Sequence, residues 1–437
     1  MTDTHPFSSR RTRRLRAVLV VVLVAAIAGG IAGIGLLLSD GDEVIPPPSP
    51  TATPPISSDL APDAVTERAF PSLTYGIHAF LWWNETMRTI DLDNIRLMKF
   101  THVKQRFSWS TMEPVRGEWH WDKADDVVGE VNYRGLEVVA RLDSPPDWAI
   151  AAPDAPGDPP LDLAAWAEFC GVLAARYQGQ IAAYQVWNEP NLTREWLGYP
   201  PDAAAYVSLL AACAQAIRDT DPDAIIISAG LAPTGTGLPE AVPDMDYLRQ
   251  MYAAGASPHF DVLGLNAPGY GNPPEMSPAE AEAAGFLRWM CFRHVEDMRA
   301  IMVEAGDAHK QVAILELGWT TDTLHPDYQW HAVDEETQAA YLVGAYRYAA
   351  QYWRPWVGLI ITIYIADISW TPDDEEYWWA INIAGYDNGW QGRPAYYQLS
   401  WMERYVDDTF VPARDPGDPD AVIVEPLPPR ETPGGGP

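Results

Sequence analysis

Two glutamates stand at the ends of short apolar runs, where an α/β protein displays its reactive side chains. One lies in Trp187-Asn188-Glu189-Pro190-Asn191, at the end of the run 181–187. The other lies in Ile314-Leu315-Glu316-Leu317-Gly318-Trp319, at the end of the run 311–316. Burying an unpaired carboxylate in such surroundings costs several kcal/mol, so a glutamate kept there needs a reason. Two carboxyl groups sharing one pocket can divide a reaction between them. The protonated one gives its proton to a leaving oxygen, and the ionised one attacks or stabilises an electron-poor carbon. Cleavage of a glycosidic bond needs that pair.

The pair can act only if the fold brings both runs to one place. Strand-like runs fall at 73–78, 100–107, 136–142, 181–187, 224–229, 260–265, 311–316 and 357–364. Helical patterns lie between them, including 122–134, 160–177, 201–219, 288–305 and 334–352. Strands alternating with helices predict a parallel sheet covered by helices, and eight is the closing number of a (β/α)8 TIM barrel. In such a barrel the reactive residues sit on the C-terminal ends of the strands, and strands four and seven lie almost opposite each other. An open doubly wound sheet would carry a Gly-rich phosphate turn after its first strand, and Gly76-Ile77-His78 is not one.

Asn-Glu-Pro ending strand four, with a Glu ending strand seven, resembles glycoside hydrolase clan A. The stretch from Phe107 through Met112-Glu113-Pro114 to Gly117-Glu118-Trp119-His120-Trp121 resembles the segment after strand two in families 39 and 5. Pro145-Pro146-Asp147-Trp148-Ala149, Trp370 and Arg393-Pro394-Ala395-Tyr396 agree with it, so the resemblance covers about residues 70–405. It implies a retaining glycosidase in which Glu189 is the acid/base and Glu316 the nucleophile, with Asn188 on the sugar 2-hydroxyl. Members usually carry an Arg on strand two bonded to the nucleophile. Lys104 and Arg106 share one face there, and Lys104 fits that position better, although a Lys cannot make the two-pronged contact of an Arg. His78 is a candidate for the sugar subsite. Where members often have His-x-Tyr on strand six, this chain has Asn266-Ala267-Pro268-Gly269-Tyr270, which leaves Tyr270 and Tyr364 as candidate tyrosine partners of the nucleophile. Trp370 is the first candidate platform for a sugar face, followed by Trp148 and Trp319. Glu113 reads as a structural cap or turn carboxylate.

The rest of the sequence narrows the setting. A formal charge of −31 excludes nucleic acid as a partner of the folded part. The 19 Trp and 20 Tyr suit an oligo- or polysaccharide partner. Residues 1–16 form a basic tail with five Arg and one Asp, and the uncharged run 17–38 is long enough to span a membrane. The arginines on its N-terminal side predict a cytoplasmic N-terminus and an extracellular barrel. The competing reading is a cleaved signal peptide, but its apolar stretch would be shorter and end at a small-residue site. Residues 39–68 read as a Pro-rich linker, 69–410 as the barrel, and 411–437 as a Pro/Gly-rich tail without a packed core. No metal-ligand spacing or cofactor motif is present. The three cysteines are too few for a disulfide framework, and Cys170 and Cys213 read as small buried apolar residues. The Lys104 exchange and the altered strand-six motif keep open a second possibility, a catalytically impaired barrel that binds surface carbohydrate.

Overall fold

The computed structural model describes residues 60–414, apart from 72, 387–388 and 407–408. The expected membrane span 17–38, its basic tail and the segment 415–437 lie outside these residues. Among the described residues no helix is long and apolar enough to cross a membrane.

Eight parallel strands close into a barrel in sequence order. They are β1 (Thr74–His78), β2 (His102–Ser108), β3 (Glu137–Asp143), β4 (Ala183–Val186), β5 (Ile225–Ile227), β6 (Val262–Asn266), β7 (Gln311–Leu317) and β8 (Val357–Thr362). Closure is made where Gly76 on β1 pairs with Ile361 on β8. Gly76 is required there, because a Cβ would meet Ile361 Cδ1 at 2.3 Å.

Alternation along each strand sorts the side chains into two layers. Val139, Ala183, Ile227, Val262, Ala313, Leu315, Leu359 and Ile361 form a cluster of their own with Phe70. Their neighbours in sequence, such as Val138, Tyr184, Ile226 and Ile314, join the larger core packed against the helices. Phe70 hydrogen-bonds to Gln311 at the start of β7, at the end of the barrel away from the two glutamates.

Three differences from the sequence reading are physical. Cys170 and Cys213 are not free: they form a disulfide between helices Leu163–Arg176 and Ala203–Arg218, with Cα atoms 5.4 Å apart. An odd total of cysteines says nothing about which two meet, and Cys291 is the one left over. The linker expected up to residue 68 ends earlier, since Leu60 and Val65 are buried in the core and the Leu60 carbonyl accepts from Arg299. At the other end a hairpin of Arg404–Val406 and Thr409–Val411 carries ordered strand just past the expected boundary at 410.

Candidate active site

Glu316 owes its direction to an irregularity in β7. Strict alternation with Ala313 and Leu315 would turn it out towards the helices. The pairing with β6 runs Leu265 to Ile314 and then Asn266 to Glu316, so β7 carries one extra residue at this point. The β8 register shifts over the same stretch. A bulge of this kind re-aims a side chain. Here it brings the Glu316 carboxyl within 3.1 Å of Lys104 Nζ and 3.8 Å of Arg141 Nη1, both on its Oε1.

Glu189 is set by its loop rather than by a strand. Trp187 and Glu189 both have left-handed backbones, with φ of 73° and 44°. Such residues persist where their surroundings over-determine them. Buried Asn191 does so by donating to the carbonyls of Ala232 and Val242 and accepting from Ala232 N–H. The Glu189 N–H donates to the Gly230 carbonyl. Its carboxyl then accepts from Asn266 Nδ2 at 2.9 Å and lies 3.5 Å from the exposed Arg194.

Both carboxyls line one cavity of about 1040 Å³ at the C-terminal ends of the strands. Burial, and then the charge of Glu316, push the Glu189 carboxyl up to about 7; Arg194 and Asn266 work the other way. Lys104 is fully buried below the cavity, and burial lowers its ammonium value, with Glu316 opposing. His78 lines the cavity with no partner for either ring nitrogen among the described residues. Burial, with Lys104, Arg141 and Arg106 behind it, holds the His78 imidazole well below its ordinary value, in the neutral form.

The other candidates divide by location. Asn188, Asn266, Arg106, Tyr270, Tyr364 and Trp370 all line the cavity. Asn188 is oriented by Gln185, whose Nε2 donates to its Oδ1. Arg106 pairs with Asp143 at 2.6 Å. Tyr270 gives its hydroxyl to the Pro233 carbonyl, so it is committed elsewhere than at Glu316. For Tyr364, burial and then the Glu316 charge hold the phenol well above its usual value. Trp370 packs in T-shaped contacts with Phe80 at 4.8 Å and with Tyr364 at 5.4 Å.

Two tryptophans are corrected. Trp319 is fully buried and donates to the Asn272 carbonyl, with Gly269 pressed against its ring where no Cβ would fit. Trp148 packs on Trp109 and under Arg116, and its indole donates to the Glu113 carbonyl. Neither lines the cavity, because each sits beyond its strand end in the packing between loops and helices. Glu113 is structural, accepting from Trp109 Nε1 and Gly117 N–H.

The sequence reading missed Arg141, Asp143 and Arg194. The first two carried a signal, since charged residues two apart at the end of the apolar run 136–142 share the inward face. Arg194 carried none. Among the described residues no group of side chains could hold a metal ion.

A family model described as beta-galactosidase, of the glycosyl hydrolase 42 group, matches residues 78–155. No curated protein matches the chain. Among solved structures, a family 5 enzyme from Streptomyces cattleya in complex with GlcNAc aligns with a TM-score of 0.56 and 16% identity, covering 79% of this chain and 83% of that one. A family 39 enzyme from Xanthomonas axonopodis pv. citri aligns at 0.53 and 15%, covering 77% and 67%. A family 39 glycoside hydrolase from Bacteroides cellulosilyticus WH2 aligns at 0.51 and 16%, covering 80% of this chain and 64% of that enzyme's length. At such identities the likeness is one of fold. The chain therefore has the (β/α)8 fold of the clan A glycoside hydrolases, with Glu189 after β4 and Glu316 on β7.

Proposed function

We propose that this protein is a retaining glycoside hydrolase acting on β-linked O-glycosides of oligo- or polysaccharides. One observation carries the reading. Two carboxyl groups line one cavity, and Glu189 is pushed up to about 7 while Lys104 and Arg141 face Glu316. An acid held protonated near neutrality beside a carboxylate backed by cations is the division of labour that double displacement needs.

In the first step Glu316 attacks the anomeric carbon and Glu189 protonates the departing oxygen. The Glu316 charge is lost in the glycosyl ester, so the main electrostatic brake on ionising Glu189 is removed. Glu189 then accepts a proton from the incoming water, which attacks the anomeric carbon and frees the sugar with retained configuration. Neutral His78 offers the sugar one N–H donor and one acceptor, and Trp370 offers a ring face. The bond from Lys104 to Glu316 favours this reading over a binding-only barrel, because the Lys supplies the cation expected from Arg.

The test is a panel of aryl glycosides, followed by proton NMR of the first sugar anomer released. Turnover with net inversion would exclude the retaining mechanism. Sugar binding without turnover would leave the binding protein.

We also propose that residues 17–38 anchor the barrel outside the cytoplasm. The Cys170–Cys213 disulfide supports this placement, because such bonds persist in oxidising compartments. Protease added to intact cells should degrade the barrel. Survival of the barrel would refute the orientation, and a mature N-terminus near residue 40 would refute the anchor.

A further inference from the structure

Beneath Glu316 lies an ion network that the double-displacement scheme does not by itself require. Lys104 Nζ and Arg141 Nη1 both address Oε1 of Glu316, at 3.1 Å and 3.8 Å. The Arg141 guanidinium is in turn fixed from behind, its Nε donating to Asp143 Oδ2 at 2.5 Å. The other Asp143 oxygen accepts from Arg106 Nε at 2.6 Å and from the Ser144 hydroxyl at 2.8 Å. Register explains the arrangement, because β2 and β3 pair Arg106 with Arg141 and Ser108 with Asp143 at the mouth. Burial alone would raise the Asp143 carboxyl, but Arg141 and Arg106 outweigh it and hold that group well below the usual carboxylate range.

We infer that Arg141, oriented by Asp143, is a positioning residue whose charge, 3.8 Å from Oε1 and beside the Lys104 hydrogen bond to that oxygen, helps to hold the Glu316 carboxyl with Oε2 free to attack and assists its departure in the second step. The inference rests on the hydrolase reading above. In the glycosyl-enzyme the anomeric carbon is bonded to Oε2, and Oε1 is the ester carbonyl oxygen. A water oxygen then bonds to the anomeric carbon and its proton passes to Glu189. The bond from the anomeric carbon to Oε2 breaks, and its electron pair returns to the carboxylate. Negative charge grows on both oxygens during that step, and the Lys104 donor and the Arg141 charge already beside Oε1 stabilise it without rearrangement. Asp143 also offsets part of the positive charge that Lys104, Arg141 and Arg106 would otherwise set against a developing oxocarbenium ion.

The experiment uses the full chain with the aryl sugar that the panel shows to be turned over. Its 2,4-dinitrophenyl 2-deoxy-2-fluoro glycoside should trap the ester, seen as added mass on the Glu316 peptide. Arg141→Gln and Asp143→Asn should still trap, but reactivate about 10- to 100-fold more slowly than the unsubstituted protein, the loss expected when a poorly screened charge beside the reacting carboxyl is removed or misdirected. On the unfluorinated dinitrophenyl glycoside, kcat and KM should fall together and a burst should appear, because the ester accumulates. A merely structural role would lower kcat without lowering KM. Arg141→Lys, which keeps the charge, should lie between. Near-ultraviolet circular dichroism reports folding, and Asp143→Asn carries the test if Arg141→Gln does not fold. Trapping followed by unchanged reactivation in the variants would overturn this inference alone. Failure of the unsubstituted protein to label at Glu316 would overturn the hydrolase reading and this inference with it.

Discussion

Glu189 and Glu316 are the same side chain at the mouth of the same barrel, equally exposed at 14%, yet their surroundings treat them oppositely. Glu316 faces the fully buried Lys104, with Arg141 close by. Glu189 has the neutral amide of Asn266 and an arginine whose side chain is 67% exposed. A cation in the barrel interior is poorly screened, whereas one at the surface competes with water and salt. Two equally exposed carboxyls can thus differ in the charges that face them, and Glu189, with no buried cation beside it, is pushed up to about 7 by burial and then by the Glu316 charge.

The largest effects should come from removing either carboxyl. Glu316→Gln loses the covalent route, and Glu189→Gln loses proton transfer worth ~10²–10⁴ in rate. The two should separate by leaving group. Glu189→Gln should keep its first step on dinitrophenyl glycosides, which need no acid, while Glu316→Gln should fail on every substrate. Azide should restore turnover to Glu316→Gly by filling the vacated side. Near wild-type turnover by either Gln variant would remove that residue from its role.

Next comes the buried cation. Lys104→Met leaves Glu316 with Arg141 alone, and kcat/KM should fall about 10- to 100-fold. Steady-state kinetics at fixed pH measure it, and an unchanged value would mean that Arg141 suffices.

The comparison also predicts opposite stabilities. The Glu189 carboxyl is near 7 in the folded state, above its ordinary value of 4.5. Its stabilising contribution is therefore full below about pH 4.5 and is lost as pH rises through about 7. Glu189→Gln cannot ionise, so at pH 8 it should be more stable than the unsubstituted protein by up to roughly 3 kcal/mol, with the gain vanishing at low pH. Glu316→Gln should be less stable, because it strips Lys104 and Arg141 of a partner. Urea unfolding at pH 5 and pH 8 checks both signs. Activity should fall along the same axis, with kcat/KM decreasing above about pH 7 as Glu189 loses its proton.

The smallest effect belongs to Arg194. Its charge lowers the Glu189 value, so Arg194→Ala should move the alkaline limb of the pH–rate profile upward by less than about one pH unit, since exposed pairs are weak. A larger move would mean that Arg194 couples to Glu189 more strongly than an exposed pair does.

How far the sequence could be read differs between elements for physical reasons. All eight strands were legible because a barrel strand is a short β-rich run between helical patterns, and that is a local signal. Glu189 was legible because its loop chemistry, Asn-Glu-Pro-Asn, is local too. Trp148 and Trp319 were misplaced because aromatic residues near a strand end look alike, whether they face a cavity or the packing behind it. Tyr270 could be located but its hydroxyl could not be followed, since the Pro233 carbonyl lies on another loop. The disulfide joins cysteines 43 positions apart on two helices, which no spacing rule reaches.

By itself, then, the sequence determined the period of the elements, the count of strands and the two glutamates, one just after β4 and one on β7, since all three depend on residue type and local order. Only the tertiary structure decided which way Glu316 points, because that depends on one extra residue in the β7 register. It also decided which cations meet at one Glu316 oxygen, and that Glu189 does not receive them. Electrostatic partnership depends on distance and burial across strands far apart in the chain, and neither quantity is written in the order of the residues.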